Sequence, residues 1–190
     1  MILVAAGHHA GAKGATFNGI SEYDYTPIWR DDLIQHLGHR ASAVPSGLLR
    51  DKVDFINAAK PALVIEIHFN SAINMRGQHV GKGCETLYKP NDHRSRHAAM
   101  CLQDAMATVF QPSRGAFEGW LRRDYPGRVD YDGDVEGDEH LDYLLANANC
   151  PAVVIEPEFI HNWTIITKKQ GLAILEISNA LVGLMKDWDV

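Results

Sequence analysis

Two rhythms of hydrophobic positions run along this chain: short unbroken apolar runs, and longer stretches with apolar residues every three or four positions. The first marks strands buried on both faces of a parallel sheet, and the second marks helices that dock on one. The clearest strand is Leu63, Val64, Ile65 and Ile67, entered after Pro61, and two polar residues interrupt it. Side chains alternate across a strand, so Glu66 and His68 fall on one face. His68 then stands near the carboxyl end, where open α/β sheets bind ligands. Ile2 to Ala6 repeats the pattern and runs into Gly7, His8 and His9, and Pro151 to Glu156 repeats it again, ending in a carboxylate.

The helical rhythm fills the spaces between. Ser21 is placed to cap a helix running to about Leu37, with Glu22 in its first turn and Gly38 as the stop. His39 to Val44 predicts a second strand, and Pro45 and Ser46 open a helix through Ala59. Gly83 to Tyr88 reads as a strand and Asp92 to Phe110 as a helix. Leu141 to Asn149 packs as a short helix or strand, and Trp163 to Lys186 closes the chain with a helix docked through Ile166, Leu172, Leu175, Leu181 and Leu184. The loop Ala10 to Gly19 is rich in small residues, which lets backbone approach a ligand closely. Strands alternating with helices predict an α/β fold: a single three-layer domain, a mostly parallel twisted sheet with helices on both faces.

Composition narrows the function classes. A length of 190 residues suits one domain, and a net charge of -6 gives no basic footprint, so nucleic acid is not an expected partner. No apolar run approaches the ~20 residues of a membrane span, so no membrane insertion is expected. The opening apolar run is short and has no basic leader, so it reads as a first strand rather than a signal peptide, and synthesis in the cytoplasm is expected. Cys84, Cys101 and Cys150 are odd in number and widely spaced, which reads as small buried hydrophobes in a reducing compartment. Gln111 to Asp142 is irregular and acidic. Within it Asp132, Asp134, Glu136 and Gly137 imitate a calcium loop, but Glu139 and Tyr143 stand where an apolar residue and a glutamate belong, so a solvated acidic loop is expected.

Three apolar strands thus deliver His8, His68 and Glu156, and one helix begins with Glu22. Singly, each has an ordinary alternative: a core histidine satisfied by a carbonyl, or a carboxylate favoured by a helix dipole. Together they match hydrolytic zinc sites, which take two histidines and a carboxylate, with a further carboxylate as base. His9 replaces His8 only if the strand register slips by one, turning its side chain to the opposite face.

The same residues carry a resemblance. Ala6-Gly7-His8-His9, Gly19-Ile20-Ser21-Glu22, Ile67-His68-Phe69-Asn70-Ser71, Gly83 to Tyr88, Arg114-Gly115, and Pro151 to Glu156 with Phe159-Ile160-His161-Asn162 resemble, in order and spacing, the zinc-dependent N-acetylmuramoyl-L-alanine amidases of the amidase-3 type. Those enzymes cut peptidoglycan between muramic acid and the stem peptide. The resemblance implies Zn2+ held by His8, Glu22 and His68, with Glu156 as the catalytic carboxylate. It also implies one catalytic domain over residues 1–190 without a separate wall-binding domain, and peptidoglycan as partner. A phage or prophage endolysin, released by another factor to act on the wall, is the expected setting.

Several residues depart from the family pattern. Ala5-Ala6 stands for Asp-Pro, Glu158 for glycine and Glu66 for a small residue, residues 42–50 lack a Thr-Arg element, and 124–142 reads as an insertion. Glu66 is therefore expected to orient a ligand or water behind His68, and Glu158 is the rival of Glu156. Two other functions stay open. One is a zinc carboxypeptidase or deacylase, with Arg114, Arg122 or Arg123 for a terminal carboxylate. The other is a non-catalytic peptidoglycan-binding module, against which an intact Glu156 argues.

Overall fold

The computed structural model describes residues 1–119 and 139–189, with backbone alone for 139–142. Strands β1 (Ile2–Ala6), β4 (Ala41–Ala43), β5 (Leu63–Ile67), β6 (Cys84–Tyr88), β7 (Ser113–Glu118) and β8 (Ala152–Glu156) form one sheet in the order β4-β1-β5-β8-β6-β7. β4, β1, β5 and β8 run parallel, β6 lies antiparallel to β8, and β7 is parallel to β6. A hairpin of β2 (Thr16–Phe17) and β3 (Ile20–Ser21) stands apart. The helices are α1 (Glu22–Leu37), α2 (Leu49–Ala59), α3 (His93–Ala107), α4 (Glu139–Asn147) and α5 (Trp163–Asp187).

The apolar runs explain the layers. Alternate residues of each buried strand face opposite sides, so the sheet feeds two cores. On one side Ile2, Val4, Ile65, Ile67, Val153 and Ile155 meet α1, α3 and α5, with Trp29 fully buried against Phe69 and Phe110. On the other, Leu3, Ala5, Val64, Leu87 and Val154 meet Val53 and Ile56 of α2 and Leu144 and Leu145 of α4. The three-layer arrangement is the predicted one.

The boundaries shift in several places, and α5 docks through Ile166, Ile174, Ile177, Leu181 and Leu184 while Leu172 and Leu175, expected to dock, are exposed. The second strand shrinks to Ala41–Ala43, because residues 38–40 close a 3-10 turn first. α2 begins at Leu49 rather than at Pro45. The small-residue loop holds the β2–β3 hairpin. Ser113–Glu118, read as irregular, is an edge strand whose partly exposed residues and Gly115 at φ 102° hide the apolar pattern. The calcium-like loop and the rest of 120–138 lie outside the described residues.

Candidate metal centre

β1 and β5 end side by side, and their last hydrogen bond, Gly7 N–H to the carbonyl of Ile67 at 2.9 Å, brings the next residues of both chains together. His8 follows in a left-handed backbone conformation, φ 65°, which few non-glycine residues adopt. Two glycines make room for the imidazoles. A Cβ on Gly14 would lie 2.3 Å from the His8 ring, and one on Gly7 would lie 2.6 Å from the His68 ring.

Glu22 opens α1 after the hairpin. Ser21 caps the helix, its hydroxyl accepting from Asp24 N–H at 3.3 Å, as the sequence predicts. Thr26 donates to the carbonyl of Gly7 at 3.0 Å and ties the helix to the end of β1. The buried Glu22 carboxylate accepts from Ala15 N–H at 2.8 Å through Oε1 and from Phe69 N–H at 2.9 Å through Oε2. Its direction is therefore set by backbone on both sides.

His8 Nε2, His68 Nδ1 and Glu22 Oε2 lie 3.2 Å from one another. A tetrahedral ion with ligands at ~2.0–2.1 Å separates them by about 3.3–3.4 Å, so the triangle has the dimensions of three zinc vertices. Lone pairs aimed at one point repel unless positive charge lies among them, and this donor set suits a divalent cation. These three are the one group of three or more His, Cys, Asp or Glu among the described residues placed to hold a metal. The proton equilibria report the same demand. Burial pushes the Glu22 carboxyl up, but the hydrogen bonds of His68 and His8 outweigh it and hold it well below the usual carboxylate range. Burial pushes His68 down, but Glu22 and Glu66 outweigh it and raise the imidazole to about 10.

Behind His68 stands the predicted carboxylate. Glu66 Oε2 lies 3.4 Å from His68 Nε2. This is an ion-pair contact rather than a formed hydrogen bond, because Nε2 is buried without a hydrogen-bond partner. Glu66 Oε1 accepts from Lys52 Nζ at 3.0 Å. A cavity of about 120 Å³ opens beside the group, lined by His8, His9, Leu48, Lys52, Glu66 and His68. His9 stays outside the triangle, its Nδ1 accepting from Gly11 N–H at 3.1 Å.

Glu156 ends β8 and is buried. Ile67 pairs with Ile155, so His68 and Glu156 stand side by side on one face of adjacent parallel strands. Across the antiparallel junction Glu156 pairs with Glu85, which accepts from Asn70 Nδ2 at 2.7 Å and forms an ion pair with Arg114 Nε at 3.0 Å. Arg114 also lies over the Phe159 ring, 4.8 Å from its centre. Glu158 is otherwise engaged. Its Oε1 accepts from Gly83 N–H and Phe159 N–H at 2.8 Å and from Asn162 Nδ2 at 3.1 Å, so this carboxylate pins the chain beyond β8. Arg122 and Arg123 lie outside the described residues.

Sequence reasoning missed Lys52, because a lysine in an amphipathic helix ordinarily faces solvent. It placed Gly7 only within a motif and Gly14 only within a small-residue loop; their signal is position, beside histidines that need the space.

A family model described as N-acetylmuramoyl-L-alanine amidase matches residues 2–170. Solved structures share the fold at low identity. An N-acetylmuramoyl-L-alanine amidase from Clostridium difficile 630 is 19% identical with a TM-score of 0.74, covering 97% of this chain and 96% of that one. The catalytic domain of CwlV, an N-acetylmuramoyl-L-alanine amidase from Bacillus (Paenibacillus) polymyxa var. colistinus, is 17% identical with a TM-score of 0.72, covering 100% and 98%. The catalytic domain of an endolysin targeting Clostridia difficile is 21% identical with a TM-score of 0.70, covering 96% of each chain. Among curated proteins, no sequence matches.

Proposed function

The chain belongs to the N-acetylmuramoyl-L-alanine amidase family, enzymes that hydrolyse the amide bond between N-acetylmuramic acid and L-alanine in peptidoglycan, and we propose that it does so with Zn2+ held by His8, Glu22 and His68 and with Glu156 as general base. The observation that supports this most is the 3.2 Å triangle of ligand atoms with a buried carboxylate one strand away. Three protein ligands leave a fourth position for water or substrate, as catalytic zinc requires. When bound, the ion polarises the amide carbonyl and acidifies a water.

The chain's own residues supply the proton traffic. Glu156 takes the proton of the attacking water as its oxygen bonds to the carbonyl carbon, and delivers it to the L-alanine nitrogen as the C–N bond breaks. Glu22, fixed by two backbone N–H groups, would present its charge to the ion rather than take up a proton. We propose action on the wall as an endolysin, a reading supported by the likeness to an endolysin catalytic domain.

Two measurements test the reading. Elemental analysis of protein prepared without chelator should find about one zinc per chain. Mass spectrometry of digested peptidoglycan should find free glycan and intact stem peptides. Shortened stems would make the enzyme a carboxypeptidase, and an active, metal-free protein would overturn the mechanism.

A further inference from the structure

Lys52 breaks two local rules at once. Its side chain is buried, only 3% exposed, although an ammonium is among the costliest groups to take out of water. It also sits in the first turn of α2, where the helix dipole disfavours positive charge. Such conflicts mark sites where something other than the fold decides the residue.

The contacts say what. The stem of Lys52 reaches from α2 to the carboxyl ends of β1 and β5, where Nζ donates to the carbonyl of Ala6 at 2.5 Å, to Glu66 Oε1 at 3.0 Å and to the carbonyl of His8 at 3.5 Å. Three donors meet three acceptors, so the ammonium is fully used. Glu66 divides its oxygens, Oε1 to Lys52 and Oε2 toward His68 Nε2. We infer that Lys52 is a positioning residue for the metal centre, touching both histidines from behind: His8 through its own carbonyl, and His68 through the Glu66 carboxylate it holds. It acts on the two histidines and touches neither substrate nor reacting atoms.

Two consequences follow from the geometry. His8 has a left-handed backbone, so its carbonyl points where ordinary strand pairing cannot satisfy it, and Lys52 meets it there. Glu66 lies within reach of Nε2 only while its carboxylate plane is fixed, and an imidazole so partnered keeps its other nitrogen aimed as a ligand. Replacing Lys52 should therefore weaken the metal site, not only the fold.

The role of Lys52 rests on the proposed metal reading, so zinc affinity is measured on the full chain by competition with a chromophoric chelator. Lys52→Met keeps the length of the stem and removes the charge. Its affinity is expected to fall ~10- to 100-fold, the scale for losing a group that orients a ligand. Glu66→Gln is expected to fall within the same range. A loss smaller than ~10-fold in either variant overturns the inference, even where thermal stability drops. Should Lys52→Met fail to fold, Lys52→Gln is read by the same threshold. His68→Ala, run alongside, separates the two claims. Wild-type affinity in that variant overturns the metal centre and the role of Lys52 with it, whereas its loss with Lys52→Met unaffected overturns the role of Lys52 alone.

Discussion

Gly7→Ala isolates what the fit of one ring contributes to the centre. The backbone at Gly7 needs no left-handed conformation, so alanine adds only a methyl group. That methyl would lie 2.6 Å from His68 Cε1, 2.7 Å from Nε2 and 2.7 Å from the carbonyl oxygen of Ile67. Carbon contacts settle at about 3.5 Å, so either the imidazole retreats by roughly 0.9 Å or β1 and β5 part. Metal ligands tolerate ~0.2 Å, and the ring cannot retreat that far and still serve. Overpacking of this kind costs about 1–3 kcal/mol, which corresponds to roughly 5- to 160-fold in affinity if the strain is released by displacing the ligand. The assay is chelator competition for zinc, with thermal unfolding measured with and without metal. Gly171→Ala is the control: it lies in α5 with nothing near the added methyl and should stabilise by about 0.5–1 kcal/mol, leaving zinc affinity unchanged. If Gly7→Ala binds zinc as tightly as wild type, the ring is not held by that contact and the reasoning fails.

Glu156→Gln should keep zinc and folding while turnover falls ~100-fold or more, the scale of general acid and base catalysis. Glu158→Gln keeps the acceptor oxygen that pins Gly83 and Phe159 and should remain active; the reverse outcome in peptidoglycan digestion moves the base to Glu158. In the metal-free protein His68 is raised to about 10 by Glu22 and Glu66 against its burial, so it holds its proton at neutral pH and stabilises the fold fully below 6.5, losing that contribution as pH rises through about 10. Zinc uptake through Nδ1 should accordingly release about one proton at pH 7; calorimetry in buffers of different ionisation heat reads it, and no release refutes it. Glu66 is pushed up by burial but lowered to about 2 by the close approach of His68 and the charge of Lys52, so its contribution is present above 4.5 and lost as pH falls toward about 2. Acid unfolding of metal-free Glu66→Gln should lack that loss, and an unchanged acid profile would refute it.

Much of this was legible in the sequence because buried strands write themselves as apolar runs. His8, His68 and Glu156 stand at the ends of three such runs, and a residue at a strand end in this fold has few places to be. Glu66 was legible for the same reason, as a charge inside a run that excludes charge. β7 was not, since an edge strand with one face exposed needs no apolar pattern, and the β2–β3 hairpin is too short to have one. Lys52 was hidden because its partners lie on other elements: Ala6 and His8 precede it by more than forty residues. No spacing along one helix announces such a meeting. Which nitrogen of His68 faces the triangle is likewise a matter of tertiary packing, fixed by Gly7 and Glu66.

The sheet order has a consequence for the sequence of events as the chain is made. Among the described residues β8 is the last strand synthesised, yet it lies in the middle and supplies the sole pairing between β4-β1-β5 and β6-β7. The residues proposed to hold the metal all emerge with the first group of strands, and the proposed base arrives only with the strand that joins the halves. A nascent chain thus carries the proposed metal residues well before the proposed base, and on that reading completing the sheet and arming the enzyme are one event.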